Sequence, residues 1–153
     1  PLASGWGAYL NTSREERFID AGDLRTNTDW PNHMALQPYE GLIAIHTPCS
    51  LRNSMQSDKA VTRLIEKIPA AEWAHLSPGN GCCGGAGIQL INQPEMGAAL
   101  LSPTLEEIIE LQPRVVVTSN TGCALHIRRG IMERNLDIQV MHPVELIAGQ
   151  LPN

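Results

Sequence analysis

Two short, continuous apolar runs constrain the fold of this chain most: Leu42-Ile43-Ala44-Ile45, and Val115-Val116-Val117 followed by Thr118. Both have strand length and neither alternates with polar residues. Strands that are apolar throughout are buried on both faces, as in parallel sheets covered by helices. Elsewhere the period changes. Ala60, Val61, Leu64, Ile65 and Ile68 recur at helical spacing within Asp58 to Ile68, and Pro69 ends that helix. Trp73-Ala74-His75-Leu76 reads as another strand, closed by Ser77-Pro78-Gly79. A long helical region runs from about Pro94 to Leu111, with Ser102-Pro103 as the place where it would break. A helix from about Ala124 to Asn135, a strand at Ile138-Gln139-Val140-Met141 and a helix from Pro143 to Gln150 complete the alternation, with Pro143 suited to a first turn. Strand and helix in alternation, with short loops, predict an α/β fold: a mostly parallel sheet with helices on both faces.

Residues 1–40 read differently. Gly5, Gly7, Gly22 and the polar stretch around Trp30-Pro31 mark connecting chain, with one short helix expected from Ser13. Gly5-Trp6-Gly7-Ala8-Tyr9-Leu10 echoes Gly122-Cys123-Ala124-Leu125-His126-Ile127 in its order of small and apolar residues. The expected division is residues 1–40, the tail of an upstream repeat plus a linker, and residues 41–153, a C-terminal cysteine-rich domain. The first residue is proline, which fits a processed product or a piece of something longer.

The net charge of −5 is spread along the chain without long runs of either sign. Nucleic acid is not an expected partner. No segment reaches transmembrane length and no signal-peptide pattern opens the chain, so a cytoplasmic place is expected, peripheral to a membrane at most through partners.

The chemistry lies in the four cysteines. Cys82 and Cys83 are adjacent, within a glycine-rich loop that includes Gly81, Gly84, Gly85 and Gly87. Neighbouring cysteines are poorly placed to bridge each other, but both can face one metal. Cys49 and Cys123 sit in His46-Thr47-Pro48-Cys49 and Asn120-Thr121-Gly122-Cys123, each just after an apolar run. All four thiols thus follow predicted strands, where sites in α/β folds gather. Four thiolates suit a [4Fe–4S] cluster, one cysteine per iron. They equally suit a closed Zn2+ site, although long intervals replace the usual close C-x-x-C pairs. Two disulfides in a secreted protein are disfavoured by chain length and low cysteine density. The glycine loop resembles a phosphate cradle but lacks the lysine and hydroxyl of a P-loop. Gly84, Gly85 and Gly87 are better read as giving close backbone approach and amide hydrogen bonds to cluster sulfur. His126, three residues after Cys123, is a candidate ligand or hydrogen-bond partner, with a helix-surface histidine as the plainer reading. His46 and His142 read as structural, and Arg128-Arg129 as a solvated helix face. Glu95, Glu106, Glu107 and Glu110 read as helix-surface charge.

At these residues the chain resembles the cysteine-rich CCG-domain family, which includes iron–sulfur subunits of glycolate oxidase, lactate-utilisation proteins and the B subunit of heterodisulfide reductase. The resemblance rests on His46-Thr47-Pro48-Cys49-Ser50-Leu51-Arg52, Cys82-Cys83-Gly84-Gly85-Ala86-Gly87, Gln93-Pro94-Glu95-Met96, Asn120-Thr121-Gly122-Cys123 and His142-Pro143-Val144-Glu145-Leu146. It covers about Gly41 to Leu151 and is nearest to the C-terminal repeat of the glycolate oxidase subunit. It implies cluster ligands at Cys49, Cys82, Cys83 and Cys123. The fifth cysteine of the heterodisulfide reductase pattern would fall on His126, and its absence argues against that chemistry. Trp6 stands where the upstream repeat would carry cysteine. The resemblance also implies an electron-transfer role within a glycolate or lactate dehydrogenase complex, beside an FAD-containing subunit and on towards membrane quinone. A zinc-bearing structural module and a thiol–disulfide enzyme are the alternatives.

Overall fold

The computed structural model describes residues 35–50, 59–77, 82–85 and 87–152. The helix expected from Ser13, the repeat echo around Trp6, and Gly81 lie outside the described residues. Four parallel strands form one sheet: β1 (Leu42–Ile45), β2 (Glu72–His75), β3 (Val115–Val117) and β4 (Gln139–Met141), in the spatial order β2-β1-β3-β4. Ile43 faces Val115 and Ile45 faces Val117 across the central pair, while β1 also pairs with β2 and β3 with β4. The α/β fold with an all-parallel sheet is therefore as the periodicity predicts.

Among the described residues, five helices connect and cover the strands: α1 (Ala60–Ile65), α2 (Gln89–Asn92), α3 (Pro94–Leu111), α4 (Thr121–Glu133) and α5 (Pro143–Ala148). Alternate residues of each buried strand feed two separate cores, as the two-residue period demands. Ile43, Ile45, Val115 and Val117 pack with Val61 and Ile65 of α1 and Leu146 and Ile147 of α5. Ala44, Val116 and Val140 point the other way, onto Leu101, Leu105 and Ile108 of α3 and Ile127 and Ile131 of α4. The crossover from β1 to β2 uses the first face, and the return crossovers use the second. Strand order reverses between β1 and β3, so the carboxyl ends of these two strands flank the crevice where ligands of such sheets sit.

Several boundaries differ from the sequence reading. The expected break at Ser102-Pro103 is absent: α3 runs continuously through Pro103. Pro103 and Ala99, one turn before it, are both on the exposed side. The carbonyl that loses its N–H donor there is left to water, and the apolar stripe of Leu101, Leu105 and Ile108 keeps the helix on the sheet. The helix expected over Asp58 to Ile68 is regular only from Ala60 to Ile65, with turns to Ala70. Helix α4 begins at Thr121, three residues earlier than expected, because the Asn120 side chain accepts the Cys123 N–H at 3.1 Å and caps it. Residues 35–40 are docked, with Leu36 buried in the first core and Gln37 N–H bonded to the Gln150 carbonyl at 2.7 Å.

Candidate metal centre

Strand β1 ends at Ile45, and the backbone N–H of His46, the next residue, continues the ladder to the Val117 carbonyl at 2.9 Å. Beyond it, Thr47 and Pro48 carry the chain to Cys49. Strand β3 ends at Thr118, followed by Ser119, the cap Asn120 and Cys123 in the first turn of α4. Cys82 and Cys83 arrive from the loop between β2 and α2. The three stretches meet at the reversal of strand order.

These stretches carry four free thiols, of which Cys83 and Cys123 lie within 4.8 Å of each other and of the His46 ring, with Cys49 and Cys82 outside that group. Cys49 and Cys82 are in side-chain hydrogen-bond contact, and so are Cys83 and Cys123. The two pairs also feel each other electrostatically. Cys83 and Cys123 are buried, whereas Cys49 and Cys82 are half-buried at the rim. The Cys123 thiol donates to Cys83 and holds it below the usual thiol range, assisted by His46 and the Gly85 N–H. Cys123 is pushed up, because it keeps the shared proton and is buried. Cys49 is also raised, by burial and then by its neighbour Cys82. Mutually coupled, partly buried thiols of this kind are soft donors suited to a metal.

The glycines explain how three backbones approach so closely. Gly84 adopts φ +75°, and a Cβ there would lie 2.7 Å from the Gly97 carbonyl oxygen of α3. Gly85 has ordinary φ, yet its Cβ would lie 2.9 Å from the Gly122 oxygen. Gly87 has φ +49° with open space around it. Close approach to neighbouring backbone thus occurs at Gly84 and Gly85, while nothing lies within 4 Å of a Cβ at Gly87. The Gly84 N–H points at the Cys82 sulfur at 3.4 Å. An amide that already donates to a candidate ligand sulfur suits a thiolate site.

Two histidine readings change. His126 is not on the helix surface: it is 7% exposed, and its Nε2 lies 3.0 Å from the Gly97 carbonyl oxygen, which it ties to α4. Because Gly97 lies under Gly84, His126 buttresses the cysteine loop from below. His46, read from sequence as structural, joins the site. Its ring, Cys83 Sγ and Cys123 Sγ lie within 4.8 Å of one another. The three-residue interval between His46 and Cys49, at the end of a strand, was the signal available in the sequence. His142 is structural as expected, accepting the Val144 N–H at 3.2 Å and capping α5. Arg129 pairs with Glu133 at 2.7 Å on an exposed face, whereas Arg128 donates to the Val140 carbonyl at 2.7 Å. Glu107 is more than surface charge, since it accepts both the N–H and the hydroxyl of Ser77 at the start of the cysteine-bearing loop.

The donor set fits a soft metal or an iron–sulfur cluster. A further sign is Ser119 Oγ, which is buried and has no hydrogen-bond partner among the described residues. Such a hydroxyl costs about 1–3 kcal/mol unless something satisfies it. No described helix is long and apolar enough to cross a membrane.

A family profile described as a cysteine-rich domain, CCG, matches residues 43–128. A probable glycolate oxidase iron-sulfur subunit from Bacillus subtilis is 29% identical over 115 residues, covering 69% of this chain and 26% of that protein. Lactate utilization protein A from Oceanobacillus iheyensis is 20% identical, over 71% of this chain and 45% of its own length. An uncharacterized iron-sulfur protein from Methanococcus maripaludis is 23% identical, over 95% of this chain and 31% of its own. The chain thus spans less than half the length of these relatives. No solved structure gives a significant match.

Proposed function

The chain belongs to the cysteine-rich CCG-domain family, and from that membership we propose that it is an iron–sulfur electron-transfer domain. Cys49, Cys82, Cys83 and Cys123 would hold one [4Fe–4S] cluster. What supports this reading is the meeting of three cysteine-bearing loops at the reversal of strand order, with Cys83 and Cys123 within 4.8 Å of each other and Cys49 and Cys82 coupled to them electrostatically. A bound cluster supplies one-electron chemistry at a potential set by the hydrogen bonds around its sulfurs. The chain's own part is to hold and shield it. Gly84 and Gly85 bring backbone amides within reach of the sulfurs, Gly87 gives the loop its exit, and His126 steadies the loop through Gly97.

The wider setting follows from the relatives, two of which are named for glycolate oxidase and lactate utilization. The domain would work beside an FAD-containing 2-hydroxy-acid dehydrogenase subunit. That partner would oxidise glycolate or lactate, and electrons would leave towards membrane quinone. The assembly would lie in the cytoplasm, against the inner membrane through its partners. Residues 41–153 would be the cluster-bearing domain, and residues 1–40 the end of a preceding repeat and its linker.

A second reading is a structural Zn2+ site. The grouping of His46 with Cys83 and Cys123 favours it, since mixed histidine and cysteine sets are common around zinc. Metal analysis of anaerobically purified protein separates the two, with Cys83→Ser alongside. About four irons and four sulfides per chain, lost in the variant, are expected. One zinc without sulfide would move the protein to the structural reading.

A further inference from the structure

The His46 ring is more constrained than a core histidine needs to be. It is 9% exposed at the end of β1. Its Nδ1 lies 2.9 Å from the Thr118 hydroxyl, at the end of β3. Thr118 itself is 1% exposed and its backbone continues the ladder to Met141. The other ring nitrogen, Nε2, is the atom left to face the Cys83–Cys123 group, which lies within 4.8 Å of the ring, and His46 helps to hold the Cys83 thiol low. Both ring nitrogens are therefore committed, each to a residue from a different loop.

The two contacts fix the proton. A thiolate only accepts, so the nitrogen facing Cys83 must carry the hydrogen. Nδ1 is then an acceptor, and Thr118 Oγ donates to it. This is the arrangement by which a second group selects the tautomer of a histidine at a metal centre.

We propose that His46 is a positioning residue of the metal centre, donating Nε2–H to the Cys83 sulfur, with Thr118 holding it in that tautomer. The inference rests on the reading of the four cysteines as cluster ligands. Its electrostatic consequence has a definite sign. A donor on a ligand sulfur stabilises the more negative, reduced state more than the oxidised one, which raises the reduction potential. His46 also reaches across the β1–β3 seam to Thr118.

The test compares wild type, His46→Leu, His46→Gln and Thr118→Val after anaerobic reconstitution. Iron and sulfide are measured first, then the midpoint potential by redox titration. His46→Leu is expected to lower the potential, His46→Gln to recover part of the loss through its amide N–H, and Thr118→Val to lower it less than His46→Leu. Equal potentials at equal iron content would overturn the inference while leaving the cluster reading intact. A wild type that takes up neither iron nor sulfide would overturn the cluster reading itself. Pulsed EPR on 15N-histidine protein adds an independent arm: a weak nitrogen coupling is expected, and a strong one would make His46 a ligand and overturn the hydrogen-bond role. Should His46→Leu fail to fold, His46→Gln and Thr118→Val still decide, because potentials equal to wild type in both refute the assignment.

Discussion

Gly85 and Gly122 meet backbone to backbone, so that a Cβ on Gly122 would lie 2.6 Å from the Gly85 carbonyl oxygen and one on Gly85 would lie 2.9 Å from that of Gly122. Neither obstruction is a side chain that can swing away. This contact joins the Cys82-Cys83 loop to the first turn of α4, and therefore sets how far Cys83 stands from Cys123. Gly122→Ala should cost about 1–3 kcal/mol of stability and sharply reduce metal content per chain. Gly87→Asn is the control: its φ of +49° suits asparagine and nothing crowds it. Normal metal content in Gly122→Ala would show that the approach is not needed.

Glu107 anchors the other end of that loop. Its carboxylate accepts the Ser77 N–H at 2.9 and 2.7 Å through its two oxygens, and the Ser77 hydroxyl at 2.9 Å. Glu107→Ala should remove about 1–3 kcal/mol, the range for hydrogen bonds to a charged group. Hydrogen exchange should quicken around Ser77 while the amides of β3 stay protected. Uniform acceleration across the sheet would instead mean a global loss.

The Cys83–Cys123 pair gives the reduced, metal-free protein a pH profile. Cys83 is held below its unfolded value, so its contribution is complete above the unfolded thiol pKa and fades as pH falls. Cys123 is held above its unfolded value, so its contribution is complete below that pKa and fades as pH rises. Together they place a stability maximum near about pH 8.5, the unfolded thiol value. Urea unfolding across that range should show the maximum, and Cys83→Ser should flatten it. A profile unchanged in the variant would mean that the two thiols do not share a proton when folded.

Gly130 offers a test of the fold without touching the cysteines. It is buried on α4, and a Cβ would meet Leu105 Cδ1 at 2.6 Å and Leu101 Cδ2 at 2.8 Å, both in a packed core. Gly130→Ala should lower stability by about 1–3 kcal/mol through overpacking, read as a shift in the urea midpoint. Metal content should be unchanged below the transition.

The sheet was legible because its strands are nearly pure runs: Ile43, Ala44 and Ile45, and the three valines of β3, carry no competing signal. Cys49 and Cys123 stand out because each follows such a run, and Cys82-Cys83 because of the glycines around it. What sequence could not supply depends on contacts between distant segments. Proline normally breaks a helix, and only the packing of Leu101, Leu105 and Ile108 shows why α3 continues past Pro103. His46 looked structural because its bond to Thr118 spans 72 residues. His126 looked exposed because its partner, the Gly97 carbonyl, is backbone on another helix and leaves no mark in composition. Ser77 and Glu107 are likewise joined only by the fold.

The placement of the four thiols on three stretches of chain bears on how the protein is made. Cys49 emerges from the ribosome well before Cys123, and no local segment ever holds more than the adjacent pair Cys82 and Cys83. The full set exists only once β3 has inserted beside β1 and α4 has capped on Asn120. A cofactor delivered to the nascent chain would find no complete seat. On the proposed cluster reading, loading would follow closure of the sheet, and it would meet the half-buried Cys49 and Cys82 before the buried Cys83 and Cys123.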